Sequence, residues 1–373
     1  MDPAKSLLIR DLSVVEDPTR TVWTGATDTS AEGAWSFGRL MAHLAGAHEP
    51  SEFVRRWLEN WERDQTINGF SVQNRATIAT TVIDPWPKLP DGKLDLTQAP
   101  MRLLGIVYRP DLRNPGLDRG GEGRFVFGVL DRFGNKLQFT VILEYDLAAQ
   151  TDAEVQTWAA DFQNLSTLEF GEAFNTELEA ITNRFAGPGV APDKINGSAI
   201  LRVRTNEIAL AFPWELREFA LSGNGRRLRE VTVKQTPDIG LNNTGIFAEW
   251  IDANAERIRS KPNNGSIQVP SAFKGVPFLA GAIANNLDVW DAPASDGEAV
   301  FRVALNTCNG CHGVESGTSF LHVNPRTSGS EAVLSEFLTG TMVSDPRDGE
   351  ITREFNELEA RSAEVDAILC PSP

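Results

Sequence analysis

The chain has 373 residues, of which 41% are hydrophobic and 23% charged. That supplies apolar side chains for one large core or two ordinary ones and excludes a disordered or fibrous protein. The formal net charge of −16 argues against sequence-independent nucleic-acid binding, which needs clustered Lys and Arg, and no apolar run is long enough to span a membrane.

The N-terminal stretch "MDPAKSLLIRDLSVVEDP" has neither the basic and apolar regions nor the cleavage site of an export signal. Taken literally it describes a cytoplasmic chain, and it fits equally a protein whose leader was removed and replaced by Met1. Helices are expected over 34–46 and 51–64, the second with Ser51 as N-cap and with Phe53, Trp57 and Trp61 on one face. "MRLLGIVYR" (101–109) reads as a strand. "RFVFGVLDRFGNKLQFTVILEYDL" reads as two strands around a turn from Asp131 to Asn135. Two helical patterns follow, at 151–168 and 170–186. Strand-like "SAILRVRTNEIALAF" and "REVTVKQT" come next, then a helix over 245–260.

"SKPNNGSIQVPSAFKG" (260–275) and "DVWDAPASDGE" (288–298) are rich in Pro, Gly, Asn and Ser and mark the expected joints. Beyond the second joint the pattern is entirely helical, over 297–307, 331–340 and 350–369. The fold class expected is α+β. A large mixed region with antiparallel sheet and helices (1–290) precedes a small all-α domain (291–373). From Asp291 onward there are 14 Asp and Glu against 5 Arg and no Lys. An acidic face of this kind suits a basic partner protein, because complementary charge speeds encounter.

The chain has only three cysteines, too few for a disulfide framework. Two of them stand in "NTCNGCHGVESGTSFLHV" (306–323), where Cys308, Cys311 and His312 spell Cys-x-x-Cys-His, the attachment sequence of c-type haem. Two thiols at this spacing can each form a thioether to one porphyrin edge, and the adjacent histidine then meets the iron. Other readings stay open. Zinc wants four ligands, and the segment offers three, with Cys370 or His322 as a fourth. A redox dithiol belongs after a strand in a βαβ setting, which is not visible here. A disulfide could join the pair, or one of them to Cys370.

The order of residues 297–373 resembles a small class I cytochrome c domain: helix, Cys-x-x-Cys-His, loop, helix, a methionine, C-terminal helix. That resemblance implies one covalent haem c on Cys308 and Cys311, with His312 as axial ligand and Met342 or His322 as the sixth. In that family a Gly and an aromatic closely precede the first cysteine, whereas Phe301 lies about one helical turn further back. Over most of its length, through "GEGRFVFGVLD", "RTNEIAL", "WELREF" and "LNTCNGCHG", the chain also resembles a group of uncharacterised exported bacterial proteins with a C-terminal Cys-x-Gly-Cys-His segment. Both resemblances imply a periplasmic or extracellular location and a leader since removed.

Residues 1–290 point to no enzyme family, substrate or phosphate loop. Glu122 and Glu207 are the weak catalytic candidates: if they faced each other in a cleft they could act as the acid/base pair of a hydrolase. Strand alternation places Arg202 and Arg204 on one face and Glu207 on the other. Trp57 and Trp61 read as core, while Trp86, Trp214 and Trp290 lie beside Pro or acidic residues and read as candidates for exposure. The function expected is that of an exported electron-transfer or haem-dependent redox protein. The alternatives are a haem-free binding protein with a disulfide and a carboxylate-dependent hydrolase.

Overall fold

The computed structural model describes residues 1–26, 31–260, 267–294 and 296–371. Residues 261–266 of the first expected joint and Ser295 of the second lie outside the described residues.

Strand β1 (Leu8–Ile9) precedes a small hairpin of β2 (Gln65–Ile67) and β3 (Phe70–Val72). The long strands follow: β4 (Met101–Arg109), β5 (Arg119–Leu130), β6 (Lys136–Ala148), β7 (Ile200–Glu207) and β8 (Trp214–Leu221). Then come β9 (Leu228–Val231), a second small hairpin of β10 (Ala272–Phe273) and β11 (Val276–Pro277), and β12 (Ile283–Asn285). A third hairpin, β13 (Thr341–Asp345) with β14 (Asp348–Phe355), lies near the C-terminus. The main sheet is antiparallel, in the order β1-β4-β5-β6-β7-β8-β12, with β9 also on β8. The structure is therefore α+β with antiparallel sheets, as its patterning implied.

The β5–β6 turn forms where expected. Asp131 accepts hydrogen bonds from the backbone of Phe133 and Asn135 (2.8 and 2.9 Å), and Gly134 takes the left-handed conformation (φ 79°) that closes the turn. From this hairpin the alternation of side chains sets up two different faces. Phe125, Phe127, Val141, Leu143, Val203 and Phe219 point into the larger core. The helices Phe37–Ala45, Pro50–Leu58, Asp152–Asn164 and Glu172–Ala186 cover that face. Phe37 meets Phe127 edge-on at 5.5 Å and Trp61 packs on Phe219 at 4.9 Å.

On the opposite face Val107 and Val126 pack against Phe301, Leu305, Phe337 and Phe355, so the C-terminal segment shares a core with the sheet. The helix Gly297–Asn306 also packs on the helix Gly245–Arg259. Among the described residues no helix is long and apolar enough to cross a membrane.

Several expectations are corrected. Ser51 is not the N-cap of its helix: Pro50 occupies the first turn, and Glu49 caps it by accepting from the backbone of Ser51 and Glu52. The hydroxyl of Ser51 donates instead to Leu94 O (2.7 Å). Trp86, Trp214 and Trp290 are buried, because the indole nitrogens of Trp86 and Trp290 find internal acceptors (Asp95 O and Asn309 Oδ1, both 2.8 Å). The C-terminal region is not all-α. Helix 331–340 shrinks to Glu336–Thr339, and residues 341–355 form a hairpin. Its strands are rich in β-branched residues, and its turn is tied by Asp345 accepting from Arg347 N (3.0 Å).

Candidate functional site

Strand register builds the floor of the site. Arg109 stands opposite Glu122, Arg124 opposite Glu144 and Arg204 opposite Glu218, so opposite charges meet across neighbouring strands. Arg124 bridges Glu122 and Glu144 (2.6 and 3.0 Å), Arg204 bridges Glu144 and Glu218 (both 3.1 Å), and Lys234 reaches Glu122 (3.3 Å). Burial pushes the Glu122 carboxyl up, but Arg124 and Lys234 outweigh it and hold Glu122 well below the usual carboxylate range. For Glu218 burial wins over Arg204, and its pKa is raised.

Glu207 does not join this group. It lies on the other face of the sheet, bonded to Arg75 (2.8 Å), which also meets Glu215 (2.9 Å). Arg217 links Glu215 to Glu230 (2.6 and 3.2 Å) and completes a second buried cluster. Burial, against the pull of Arg75, raises Glu207 to about 7. The two carboxylates proposed as a pair are therefore separated by the sheet, in agreement with the alternation read for Arg202, Arg204 and Glu207.

Above the charged floor the Cys-x-x-Cys-His segment forms a single helical turn. Thr307 ends the preceding helix and caps this turn, its hydroxyl accepting from Gly310 N (3.0 Å). Gly310 is required by close approach: a Cβ there would stand 2.1 Å from Ala304 O. Between this turn and the sheet is a cavity of about 270 Å³. Val126, Ile142 and Leu216 line it from the sheet, and Cys308, Cys311, His312, Leu321, His322 and Phe337 from above. Arg109, Arg124, Arg204, Lys234 and Arg361 bring cationic groups to its wall.

His312 Nδ1 donates to Phe320 O at 2.7 Å. Because a carbonyl only accepts, this fixes the Nδ1–H tautomer and leaves Nε2 with its lone pair, unbonded among the described residues. Asn206, from β7, donates to the same carbonyl and lies 3.5 Å from His312 Nδ1. Asn285, from β12, donates to His312 O (2.9 Å). Burial lowers the His312 pKa to about 4, so the ring is neutral.

His322 packs against His312 with ring centroids 4.3 Å apart. Its Nε2 is 3.4 Å from Cys311 Sγ and its Nδ1 is 2.9 Å from Ser335 Oγ. Burial raises the Cys311 thiol to about 12 and holds His322 well below its ordinary value, which makes a neutral thiol–imidazole pair. Met342 is elsewhere: it lies on β13, 63% exposed, and does not line the cavity. All three cysteines are free, with Cys370 exposed after the last helix. His43 and His48 face Ala186 O and Asn224 O, outside this site.

Among the described residues no group of three or more His, Cys, Asp and Glu side chains is arranged to hold a metal ion by itself. No protein-family model, curated protein or solved structure matches this chain. Its chemistry rests on its own geometry.

Sequence reading passed over Asn206 and Phe320. Asparagine is depleted from strands, so Asn206 within "RVRTNE" is a signal that its amide has a partner. Phe320 carries no such signal, because its φ of 66° is a property of the folded loop.

Proposed function

We propose that this chain is an exported c-type haem protein with an electron-transfer or haem-dependent redox function. Cys308 and Cys311 would carry the thioethers of one haem c and His312 would be its axial ligand. The observation that carries the reading is the hydrogen bond from His312 Nδ1 to Phe320 O. A ligating histidine needs its other ring nitrogen held by such a partner, which fixes the tautomer and the ring plane.

Two further observations support it. Both thiols and His312 border one cavity, lined in part by the apolar side chains of Val126, Ile142, Leu216, Leu321 and Phe337. Arg109, Arg124, Arg204, Lys234 and Arg361 line that cavity with Glu218 and Glu357, and the two carboxylates of a haem would share these cations with the protein carboxylates they already meet. When bound, the haem supplies one-electron chemistry at its iron, and the protein sets ligation, burial and access. The sheet is one wall of the cavity, so the N-terminal region would shape access for a partner or substrate. A filled sixth position favours electron transfer, and an open one favours peroxide or small-gas chemistry. Met342, on the outer hairpin, lends nothing to a methionine sixth ligand, whereas His322 lines the cavity.

The other readings have less behind them. Three free thiols lend nothing to a structural disulfide, and Glu122 and Glu207 on opposite faces lend nothing to a two-carboxylate hydrolase. The test is expression with an export leader and haem-maturation machinery, followed by an absorption spectrum and an intact mass. A Soret band with a covalent mass gain is expected, both lost in a Cys308→Ala, Cys311→Ala double variant. Absence of both signals from the unaltered chain overturns the reading.

A further inference from the structure

Nearly every arginine of this acidic chain is tied to a carboxylate, a carbonyl or a ring. Among the described residues, four exposed arginines make no side-chain hydrogen bond, ion pair or ring contact: Arg63, Arg226, Arg227 and Arg229. Three of them are neighbours. Arg63, Arg226 and Arg227, with Arg56, Glu59 and Asn224, line one hollow of about 290 Å³. It lies between the end of the helix Pro50–Leu58 and the β8–β9 turn, and shares no lining residue with the cavity beneath Cys308 and His312.

The turn that presents these guanidinium groups is firmly tied. Ser222 N donates to Arg227 O (2.9 Å) and Gly225 N to Ser222 O (2.8 Å). Asn196 Nδ2 donates to Gly225 O and Ser222 Oγ to Asn224 Oδ1, both at 2.8 Å. Opposite, Arg56 uses its Nε on Glu52 (2.7 Å), and its terminal amino groups bond to nothing else among the described residues. The one acid in the hollow, Glu59, has a cation of its own in Arg55 (3.6 Å). The hollow is thus a concentration of positive charge on a protein of net charge −16. Like charges held together repel unless an anion sits among them, and forked guanidinium groups match the paired oxygens of phosphate.

We propose that Arg56, Arg63, Arg226 and Arg227 form a binding site for a phosphate-class oxyanion, separate from the cavity and independent of the haem reading. The ligand presents negative charge shared over two or more non-bridging phosphate oxygens, either as a soluble phosphate compound or as a phospholipid headgroup. The test uses the full chain with pyrophosphate as probe, followed by calorimetry, and sedimentation with phosphatidylglycerol vesicles against phosphatidylcholine vesicles. Saturable pyrophosphate binding is expected, weakened at least tenfold in Arg226→Gln, Arg227→Gln and in Arg63→Gln, and unchanged in the distant Arg132→Gln. Affinity should fall steeply with added salt. Selective sedimentation with the anionic vesicles, lost in the same variants, assigns the phosphate to a lipid headgroup; pyrophosphate binding without sedimentation assigns it to a soluble compound. No saturable pyrophosphate binding, or binding equal in all variants, overturns the site.

Discussion

His312 Nδ1 donates to the carbonyl oxygen of Phe320 at 2.7 Å, and that carbonyl is aimed by a left-handed backbone (φ 66°) that a phenylalanine seldom adopts. The Phe320 ring stacks on Trp214 at 4.8 Å with the planes 13° apart. Stacking against a central strand holds the loop in a conformation costing about 1–3 kcal/mol, and the product is an oriented imidazole.

Phe320→Ala keeps the unfavourable backbone and removes the stack, worth about 0.5–1.5 kcal/mol beyond area burial. The hydrogen-bonded Nδ1 proton of His312 is expected to lose its protection from exchange. Nitrogen-edited NMR of the chain at the histidine ring frequencies checks this.

Attachment and ligation separate by mutation. With the haem reading, His312→Ala is expected to keep the covalent mass gain, since both thiols remain, while its absorption spectrum changes. Cys308→Ala and Cys311→Ala singly should each retain one thioether, leaving one vinyl group conjugated and moving the reduced bands to longer wavelength. Intact mass and reduced spectra check both.

Among the described residues Arg204 is the only bridge between Glu144 and Glu218 (both 3.1 Å). Arg204→Met leaves buried carboxylates short of a cation, and a loss of about 3–5 kcal/mol is expected. Replacing Glu144 and Glu218 with Gln in the same chain should recover part of it. Urea titration of the three proteins measures the difference.

Gly310→Ala would place a methyl group 2.1 Å from Ala304 O. The turn carrying Cys308 and Cys311 must then shift, at a cost of about 1–3 kcal/mol. A lowered melting temperature and, with the haem reading, incomplete attachment are expected.

The cluster on the other face gives a pH dependence with a definite sign. Burial raises both Glu207 and Glu230 from 4.5 to about 7, against the pull of Arg75 and Arg217 respectively. Their neighbours are Arg75, Glu215, Arg217 and Gln65. A carboxyl whose folded pKa is raised contributes stability that is full below its unfolded pKa and is lost as pH rises through the folded one. Their contribution is expected to decline between about pH 4.5 and 7, by about 1–3 kcal/mol per group. In Glu207→Gln and Glu230→Gln the slope over that window should flatten. Denaturant midpoints at half-unit pH steps show it.

Much of the fold was legible from local pattern. The strand 101–109, the hairpin about Asp131 and the buried face of Phe53, Trp57 and Trp61 follow from alternation, turn chemistry and helical spacing, all short-range properties of the chain. The Cys-x-x-Cys-His spacing is equally local, so Cys308, Cys311 and His312 could be named as a unit before any fold was known.

What the sequence by itself determined is which side chains share a face: the parity of Arg204 and Glu207 puts them on opposite sides whatever the strand pairs with. Only the tertiary structure decided which strands meet. Register across β4 to β8 turned isolated Arg and Glu residues into one buried ladder. It also placed Phe320 against Trp214, and so gave His312 its partner. Met342 fell on an outer hairpin instead of in the cavity, because residues 341–345 pair with 348–355, the start of the expected last helix. Those outcomes depend on contacts between residues far apart in the chain, and no local propensity encodes them.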